Sequence, residues 1–100
     1  MKTDKVRGDQ SARGNRENVQ FELSVEPGNL VFVAGTFNSW NPTATQLEYY
    51  PDRGHFKASL HIPTGMYEYL FVVNGRWIED PKCEERVPNS FGTMNNVLHV

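Results

Sequence analysis

The chain has 100 residues, a formal net charge of −2 and a hydrophobic fraction of 38%. This length predicts one domain, and the composition is typical of a folded core rather than of a chain that is disordered throughout. The charge is uneven. Residues 1–18 carry five basic and three acidic side chains, a net +2, whereas residues 19–100 carry five basic and nine acidic ones, a net −4. Because a phosphate-binding surface needs clustered Lys and Arg, nucleic acid is not an expected partner.

The sequence carries no signal for a membrane or for secretion. No apolar run approaches the ~20 residues of a membrane-spanning helix, and no signal-peptide core is present. Cys83 is the single cysteine, so no disulfide can form within the chain. The expected location is therefore the reducing cytoplasm, without a membrane partner.

Residues 1–18 are predicted to be a disordered polar arm. Apart from Met1, Val6 and Ala12 they are polar, glycine or charged, and such a segment buries too little apolar surface to become ordered. We therefore expect the folded domain to comprise residues 19–100. Met1 followed by this arm indicates a stand-alone chain rather than an excised part of an enzyme.

Short strands separated by turns are predicted along the folded domain. Residues 19–26 and 55–62 alternate apolar and polar side chains, which indicates half-buried strands. Residues 30–34 are continuously apolar, as in a strand covered on both faces, while residues 46–50 and 97–100 are further short candidates. Residues 79–90 have no periodicity and are predicted to be a long loop. With no helical pattern after residue 18, the expected fold is an all-β antiparallel β-sandwich.

Residues 67–77 predict the hairpin around which the domain is organised. A run rich in β-branched and aromatic residues ends at Asn74-Gly75, and a return strand begins with Trp77. Asn-Gly suits a two-residue type I′ turn, which needs positive φ at both central positions. The indole of Trp77 is then either part of the core or an exposed platform near a sheet edge.

The residues that commonly carry catalysis are not arranged for it. His55 and His61 share a strand face but lie six residues apart, roughly 20 Å, too far to share a metal. The acidic residues of the 79–90 loop are expected to be solvated, and Cys83 has no neighbouring group that would activate it. The sequence therefore predicts no enzyme, no metal site and no cofactor.

A different set of residues lies at loops and strand ends. Its members are Trp40, Trp77, Phe91, Thr93, Asn95 and Asn96. Indoles flanked by amides and hydroxyls suit a sugar, because the C–H face of a pyranose stacks on an electron-rich ring and its hydroxyls need donors and acceptors. The alternative is that both tryptophans belong to the core. Exposure is favoured for Trp40, which lies in a polar loop.

Three segments in the same order resemble carbohydrate-binding module family 48. They are GTFNSW at residues 35–40, YEYLFVVNGRW at residues 67–77 with Asp80-Pro81 beyond it, and FGTMNNV at residues 91–97. This family includes the glycogen-binding domain of the AMP-activated protein kinase β subunit and the N-terminal modules of isoamylases and branching enzymes. The resemblance covers about residues 20–100.

The resemblance implies an immunoglobulin-like sandwich that binds α-1,4-linked glucan, such as glycogen, maltooligosaccharides or cyclodextrin. It implies that Trp40 and Trp77 stack on glucose units and that Thr93 and Asn95 hydrogen-bond to the sugar. Phe91 would replace an aliphatic residue that borders the glucan in the kinase-type modules.

One departure and one alternative remain open at this stage. Leu70 stands where the family often has a sugar-binding lysine, so we expect weaker binding or a changed chain-length preference, with the aromatic platform retained. The alternative function is a protein-interaction module that docks a kinase or a glucan-metabolising enzyme and does not bind sugar. In that case at least one of the two tryptophans would lie at a partner contact.

Overall fold

The computed structural model describes residues 16–100, which form eight strands and one turn of 3₁₀ helix. The strands are β1 (Arg16–Leu23), β2 (Val31–Gly35), β3 (Glu48–Tyr50), β4 (His55–Pro63), β5 (Met66–Val73), β6 (Arg76–Ile78), β7 (Arg86–Pro88) and β8 (Met94–His99). The 3₁₀ turn, Thr36–Asn38, follows β2 directly. Within these residues no helix has the length and apolar character needed to cross a bilayer.

The strands form two antiparallel sheets. The smaller sheet has the order β1-β4-β3, and the larger has the order β2-β5-β8-β7 with β6 also paired to β5. Strand β5 is central to the larger sheet, because β2 lies along one side of it while β8 and β6 share the other side. The predicted all-β antiparallel sandwich is confirmed.

The core lies between the two sheets and follows the predicted alternation. Phe21 and Leu23 of β1 and Phe56 of β4 face a cluster from the larger sheet. The larger sheet contributes Val31, Val33, Tyr69 and Phe71, with Leu47 from the segment before β3. Phe71 is fully buried, and burying such a side chain contributes about 1.5–3 kcal/mol. Removal of these apolar faces from water is what holds the sheets together.

Strand β1 begins three residues before the predicted boundary and ends before Glu26. Its first residues pair with the end of β4, with Arg16 opposite Pro63 and Asn18 opposite His61. The Arg16 guanidinium also donates to the His61 carbonyl oxygen over 3.3 Å. Residues 16–18 are exposed and polar. They are ordered by backbone pairing with β4 and not by burial of apolar side chains, so the sequence contains no apolar alternation that would predict this part of the strand. The remainder of the predicted arm, residues 1–15, lies outside the described residues.

The prediction of an irregular loop over residues 79–90 is wrong in part, because β7 lies within it. This strand has three residues, ends in a proline and pairs with β8, which itself begins at Met94 rather than Val97. A strand this short shows no periodicity, and a proline is tolerated at a sheet edge because one side of an edge strand needs no ladder hydrogen bonds.

Asp80 anchors the connection between β6 and β7 to the core. Its carboxylate accepts hydrogen bonds from the Tyr69 hydroxyl over 2.6 Å and from the Lys82 backbone N–H over 2.9 Å. Its own backbone N–H donates to the Asn96 amide oxygen over 2.7 Å. Burial, reinforced by the Asp80 carboxylate, raises the pKa of the Tyr69 phenol well above its usual value, so Tyr69 remains a neutral donor.

The predicted Asn74-Gly75 turn is confirmed. Asn74 has φ of 52° and Gly75 has φ of 83°, the positive values that a type I′ turn requires. The Asn74 side chain accepts from the Leu30 backbone N–H over 2.9 Å and donates to Asn29 over 2.7 Å. The hairpin is thereby fixed to the preceding turn, and its geometry sets where Trp77 lies.

Candidate functional site

The outer face of the larger sheet carries the candidate site. Tyr69 and Phe71 of β5 point into the core, and since side chains alternate along a strand, Glu68 and Leu70 point away from it. Cross-strand partners share a face, so Trp77, opposite Val72, lies on the outer face. Asn95 of β8 lies there too, because Val97, two residues further on, is the partner of Glu68. The fold thus brings residues from three strands onto one surface.

An open groove of about 710 Å³ lies on this outer face. Its lining residues are Trp40, Glu68, Leu70, Trp77, Asn89, Ser90, Phe91, Thr93 and Asn95. We refer to it as the aromatic groove. It contains all five residues predicted to bind sugar, although they come from three separate segments of the chain.

Trp40 and Trp77 form one wall of the aromatic groove. Their ring centroids are 6.3 Å apart and the ring planes are inclined by 47°. Trp77 is 47% exposed and Trp40 is half-buried, and neither belongs to the core between the sheets. The two indoles therefore present adjacent, inclined aromatic surfaces to the solvent.

Trp40 is held in an unfavourable backbone conformation. Both Ser39 and Trp40 have φ of 57°, in the left-handed region that side chains such as indole rarely adopt, at a cost of about 1–3 kcal/mol per residue. The Trp40 backbone N–H donates to the Gly35 carbonyl oxygen over 2.8 Å. Asn38 further fixes the loop by donating to the Val33 carbonyl oxygen and accepting from the Gly35 N–H, each over 3.0 Å. Backbone strain of this kind is found most often at functional sites.

Asn89 organises the loop that carries Phe91 and Thr93. Its side-chain oxygen accepts from the backbone N–H of Phe91 over 2.9 Å and from that of Thr93 over 3.1 Å. Its side-chain nitrogen donates to the Asn95 amide oxygen over 2.9 Å. Phe91 is 87% exposed, so no packing holds its ring. These hydrogen bonds position Phe91 at the rim of the aromatic groove.

Asn95 lies in the groove floor with its orientation fixed on both sides. Its amide nitrogen donates to the Glu68 carboxylate over 3.0 Å, while its amide oxygen accepts from Asn89. An amide carries two N–H donors and an oxygen with two lone pairs. Asn95 therefore retains one donor and one acceptor position for a ligand, already oriented.

Asn96, the remaining polar residue of the set found at loops and strand ends, does not line the groove. It pairs with Tyr69 across the ladder and is fully buried on the core side of β8. Its oxygen accepts from the Asp80 backbone N–H, whereas its amide nitrogen has no hydrogen-bond partner among residues 16–100. Asn96 thus supports the β6–β7 connection rather than the groove.

Three polar residues of the groove, Asn89, Ser90 and Glu68, were not predicted from the sequence. Asn89 lies in the segment predicted to be a long loop, and Glu68 belongs to the hairpin motif of residues 67–77. An Asx-type pattern, in which Asn89 precedes exposed backbone N–H groups by two and four residues, is the signal that could have identified the first. Glu68 is the single charged residue among the described lining residues, and Leu70, where the lysine was expected, is 8% exposed.

A family model described as the glycogen recognition site of AMP-activated protein kinase matches residues 18–100. The chain therefore belongs to this family, in agreement with the resemblance noted in the sequence.

Individual relatives agree with the family assignment. The chain is 39% identical over 75 residues to 5'-AMP-activated protein kinase subunit beta-2 of Mus musculus, covering 75% of this chain and 26% of that protein. It has the same identity and coverage with subunit beta-2 of Homo sapiens. With subunit beta-1 of Sus scrofa it is 36% identical over 73 residues, 73% of this chain and 56% of that protein. The chain thus spans about a quarter of the length of the beta-2 relatives.

Substitution Asn89→Ala is expected to release the loop at the rim of the groove. The backbone N–H groups of Phe91 and Thr93 lose their acceptor, so their hydrogen exchange should accelerate by about tenfold or more, at a cost of ~1–2 kcal/mol in global stability. Amide exchange followed by NMR measures both. Asn89→Asp keeps the acceptor oxygen and is expected to keep both amides protected. Unchanged exchange in Asn89→Ala would show that the loop is held by other contacts.

Proposed function

We propose that this chain binds α-1,4-linked glucan of the glycogen or starch type in the aromatic groove, without catalysing a reaction. The observation that carries the proposal is the pair of inclined, solvent-facing indoles of Trp40 and Trp77, 6.3 Å apart, beside an oriented amide. The description of the family, which refers to glycogen recognition, supports the same ligand class.

Stacking on the indoles supplies most of the binding energy in this proposal. The C–H face of a glucose ring is apolar and slightly positive, and it packs well on the negative face of an indole. Successive glucose units of an α-1,4 chain turn relative to one another, so the chain curves. Platforms inclined by 47° suit two neighbouring units of a curved chain better than the units of a flat β-1,4 chain.

The polar residues supply orientation. Asn95, with one free donor and one free acceptor position, bonds a pair of neighbouring hydroxyls, and the Thr93 hydroxyl bonds a third. Phe91 borders the glucan on the opposite side of the groove, where an exposed ring adds apolar contact. Because Glu68 and Asn89 hold these groups in place before the sugar arrives, binding requires little reordering of side chains.

The same residues argue against catalysis. Glycoside hydrolysis uses two carboxyl groups that flank the scissile bond, whereas the described lining of the groove contains one, Glu68. That carboxylate already accepts a hydrogen bond from Asn95. We therefore assign the chain a localising or regulatory task, with the chemistry left to other proteins.

Affinity is expected to be modest, with a Kd of about 10–1,000 µM. Only a few side chains contact the sugar, and their interactions must first offset the translational and rotational freedom lost on association. Isothermal titration with maltopentaose and β-cyclodextrin tests the proposal, and cellopentaose is the matched control. We expect saturable binding of both α-linked ligands and at least ~10-fold weaker binding of the β-linked one. Absence of binding to either α-linked ligand at millimolar concentration would refute the proposal.

The relatives also favour a second candidate function. They are named as subunits of a protein kinase, so in those proteins the matching segment belongs to an assembly. This chain would then dock a kinase or a glucan-metabolising enzyme. If that were its sole function, the titration would show no sugar binding, and a partner recovered from the source cell would shield Trp77 from an aqueous fluorescence quencher.

A further inference from the structure

We propose that Glu68 makes the aromatic groove selective for neutral glucan and against glucan that carries anionic esters. This inference rests on the proposed function, since it concerns which members of the glucan class the groove accepts. Glu68 lies on the outer face of β5, in the floor of the groove beside Asn95. Every ligand that reaches the Asn95 amide therefore comes close to a carboxylate.

No positive charge in the described part of the groove compensates this carboxylate. The lining residues include no lysine, arginine or histidine. Among residues 16–100, the close contacts between basic and acidic side chains join Arg86 to Glu79 and His99 to Glu85. Neither contact involves Glu68. The Asn95 amide is a neutral donor, so it orients the Glu68 carboxylate without neutralising its negative charge.

The two positions nearest to Glu68 on β5 and to Trp77 on β6 do not supply a compensating cation. Leu70, two residues beyond Glu68 on the same face of β5, is apolar and buried. Arg76 precedes Trp77 on β6 and pairs with Val73, so it lies on the opposite face of that strand. An anionic ester entering the groove would thus meet one negative charge and no cation among the lining residues.

Electrostatic repulsion in such a groove is substantial. A phosphate monoester carries about −1.5 to −2 charges at neutral pH, and like charges repel more strongly where protein and sugar displace water. The surrounding domain adds to the repulsion of an anionic ligand, since residues 19–100 hold nine acidic and five basic side chains, a net −4. A neutral glucan meets no such penalty and gains a charge-assisted hydrogen bond from a hydroxyl to Glu68.

Two ring-shaped ligands of similar bulk test the inference. Heptakis(6-O-sulfo)-β-cyclodextrin carries a charge on every glucose, so no orientation removes the charge from the groove, and heptakis(6-O-methyl)-β-cyclodextrin is its neutral counterpart. For the wild type we expect the sulfated ring to bind at least ~10-fold more weakly than the methylated ring at 50 mM salt. This difference in affinity between the two rings should become smaller at 0.5 M salt, because added ions screen exposed charges.

Substitution Glu68→Gln separates charge from shape. Glutamine keeps the oxygen that accepts from Asn95, so the floor of the groove is retained, but its neutral oxygen is a weaker acceptor for a sugar hydroxyl than a carboxylate is. The methylated ring is therefore expected to bind about 3-fold more weakly than to the wild type. The sulfated ring should gain several-fold in affinity. Glu48→Gln, on β3 of the other sheet, makes the same change in net charge and is expected to leave the difference in affinity between the two rings as it was.

The possible results have distinct meanings. The assignment of selectivity to Glu68 would be overturned, with the proposed function still standing, by either of two results. The first is an unchanged difference in affinity between the two rings in Glu68→Gln, and the second is an equal reduction of that difference in Glu48→Gln. Equal affinity of the wild type for both rings would also overturn that assignment. Failure of the wild type to bind unmodified β-cyclodextrin would refute the proposed function, and this inference with it.

Discussion

Substitution Gly35→Ala is expected to lower the free energy of unfolding by about 3 kcal/mol, a large part of the ~5–15 kcal/mol typical of a small domain. The reason is space and not backbone conformation, because Gly35 has an extended φ of −168° that any residue adopts. A Cβ atom at this position would lie 2.4 Å from the Glu68 carbonyl oxygen and 2.9 Å from the Tyr69 Cβ. Neither atom can move without displacing the centre of β5.

The matched control for this prediction is Gly54→Ala. Gly54 has φ of 69°, which alanine adopts with difficulty, but a Cβ there would meet nothing within 4 Å. We expect a loss of about 1 kcal/mol from the unfavourable backbone alone. Urea unfolding of both variants measures the two values. A larger loss at Gly54 than at Gly35 would mean that β2 and β5 separate easily, contrary to the packing described above.

Substitution Trp77→Ala is expected to reduce affinity for maltopentaose by at least ~10-fold, which corresponds to about 1.4 kcal/mol. The variant removes one of the two stacking surfaces and leaves the Trp40 indole without its neighbour 6.3 Å away. Since Trp77 is 47% exposed and lies outside the core, we expect the free energy of unfolding to change by no more than ~1 kcal/mol.

Tyr50→Ala provides the control for Trp77→Ala. Tyr50 is also a partly exposed aromatic residue, but it lies on β3 of the other sheet. Its removal is expected to leave the affinity for maltopentaose unchanged. Calorimetric titration of both variants, each shown to be folded by its unfolding transition, compares them directly. Wild-type affinity in folded Trp77→Ala would exclude the aromatic groove as the sugar site.

The parts of the fold that were predictable are those in which side-chain pattern and backbone geometry agree. Phe21 and Phe56 lie at every-second-residue positions, so their strands could be read from alternation. Asn74-Gly75 has a turn chemistry that few other conformations satisfy. Strand β7 could not be read in the same way, because three residues at an edge are ordered by ladder hydrogen bonds to β8 and not by an apolar face.

The candidate site was predictable to a similar extent. The resemblance identified the aromatic and hydroxyl-bearing residues that line the groove, and the structure brings all five together. It did not identify Asn89 or Glu68, whose contribution depends on hydrogen bonds between segments that are distant in the chain. Nor could it reveal the left-handed conformation of Trp40, since conformational strain is a property of the fold and not of the residue type.

The central position of β5 has a consequence for how the domain responds to its ligand. One side of this strand forms the core through Tyr69 and Phe71, and the other forms the floor of the groove through Glu68 and Leu70. The floor of the groove therefore cannot rearrange without disturbing the core. Under the proposed function, a bound glucan would stabilise the whole domain by mass action, by about 2.7 kcal/mol at a free concentration one hundred times the Kd, so the lifetime of the module in a cell would depend on the glucan around it.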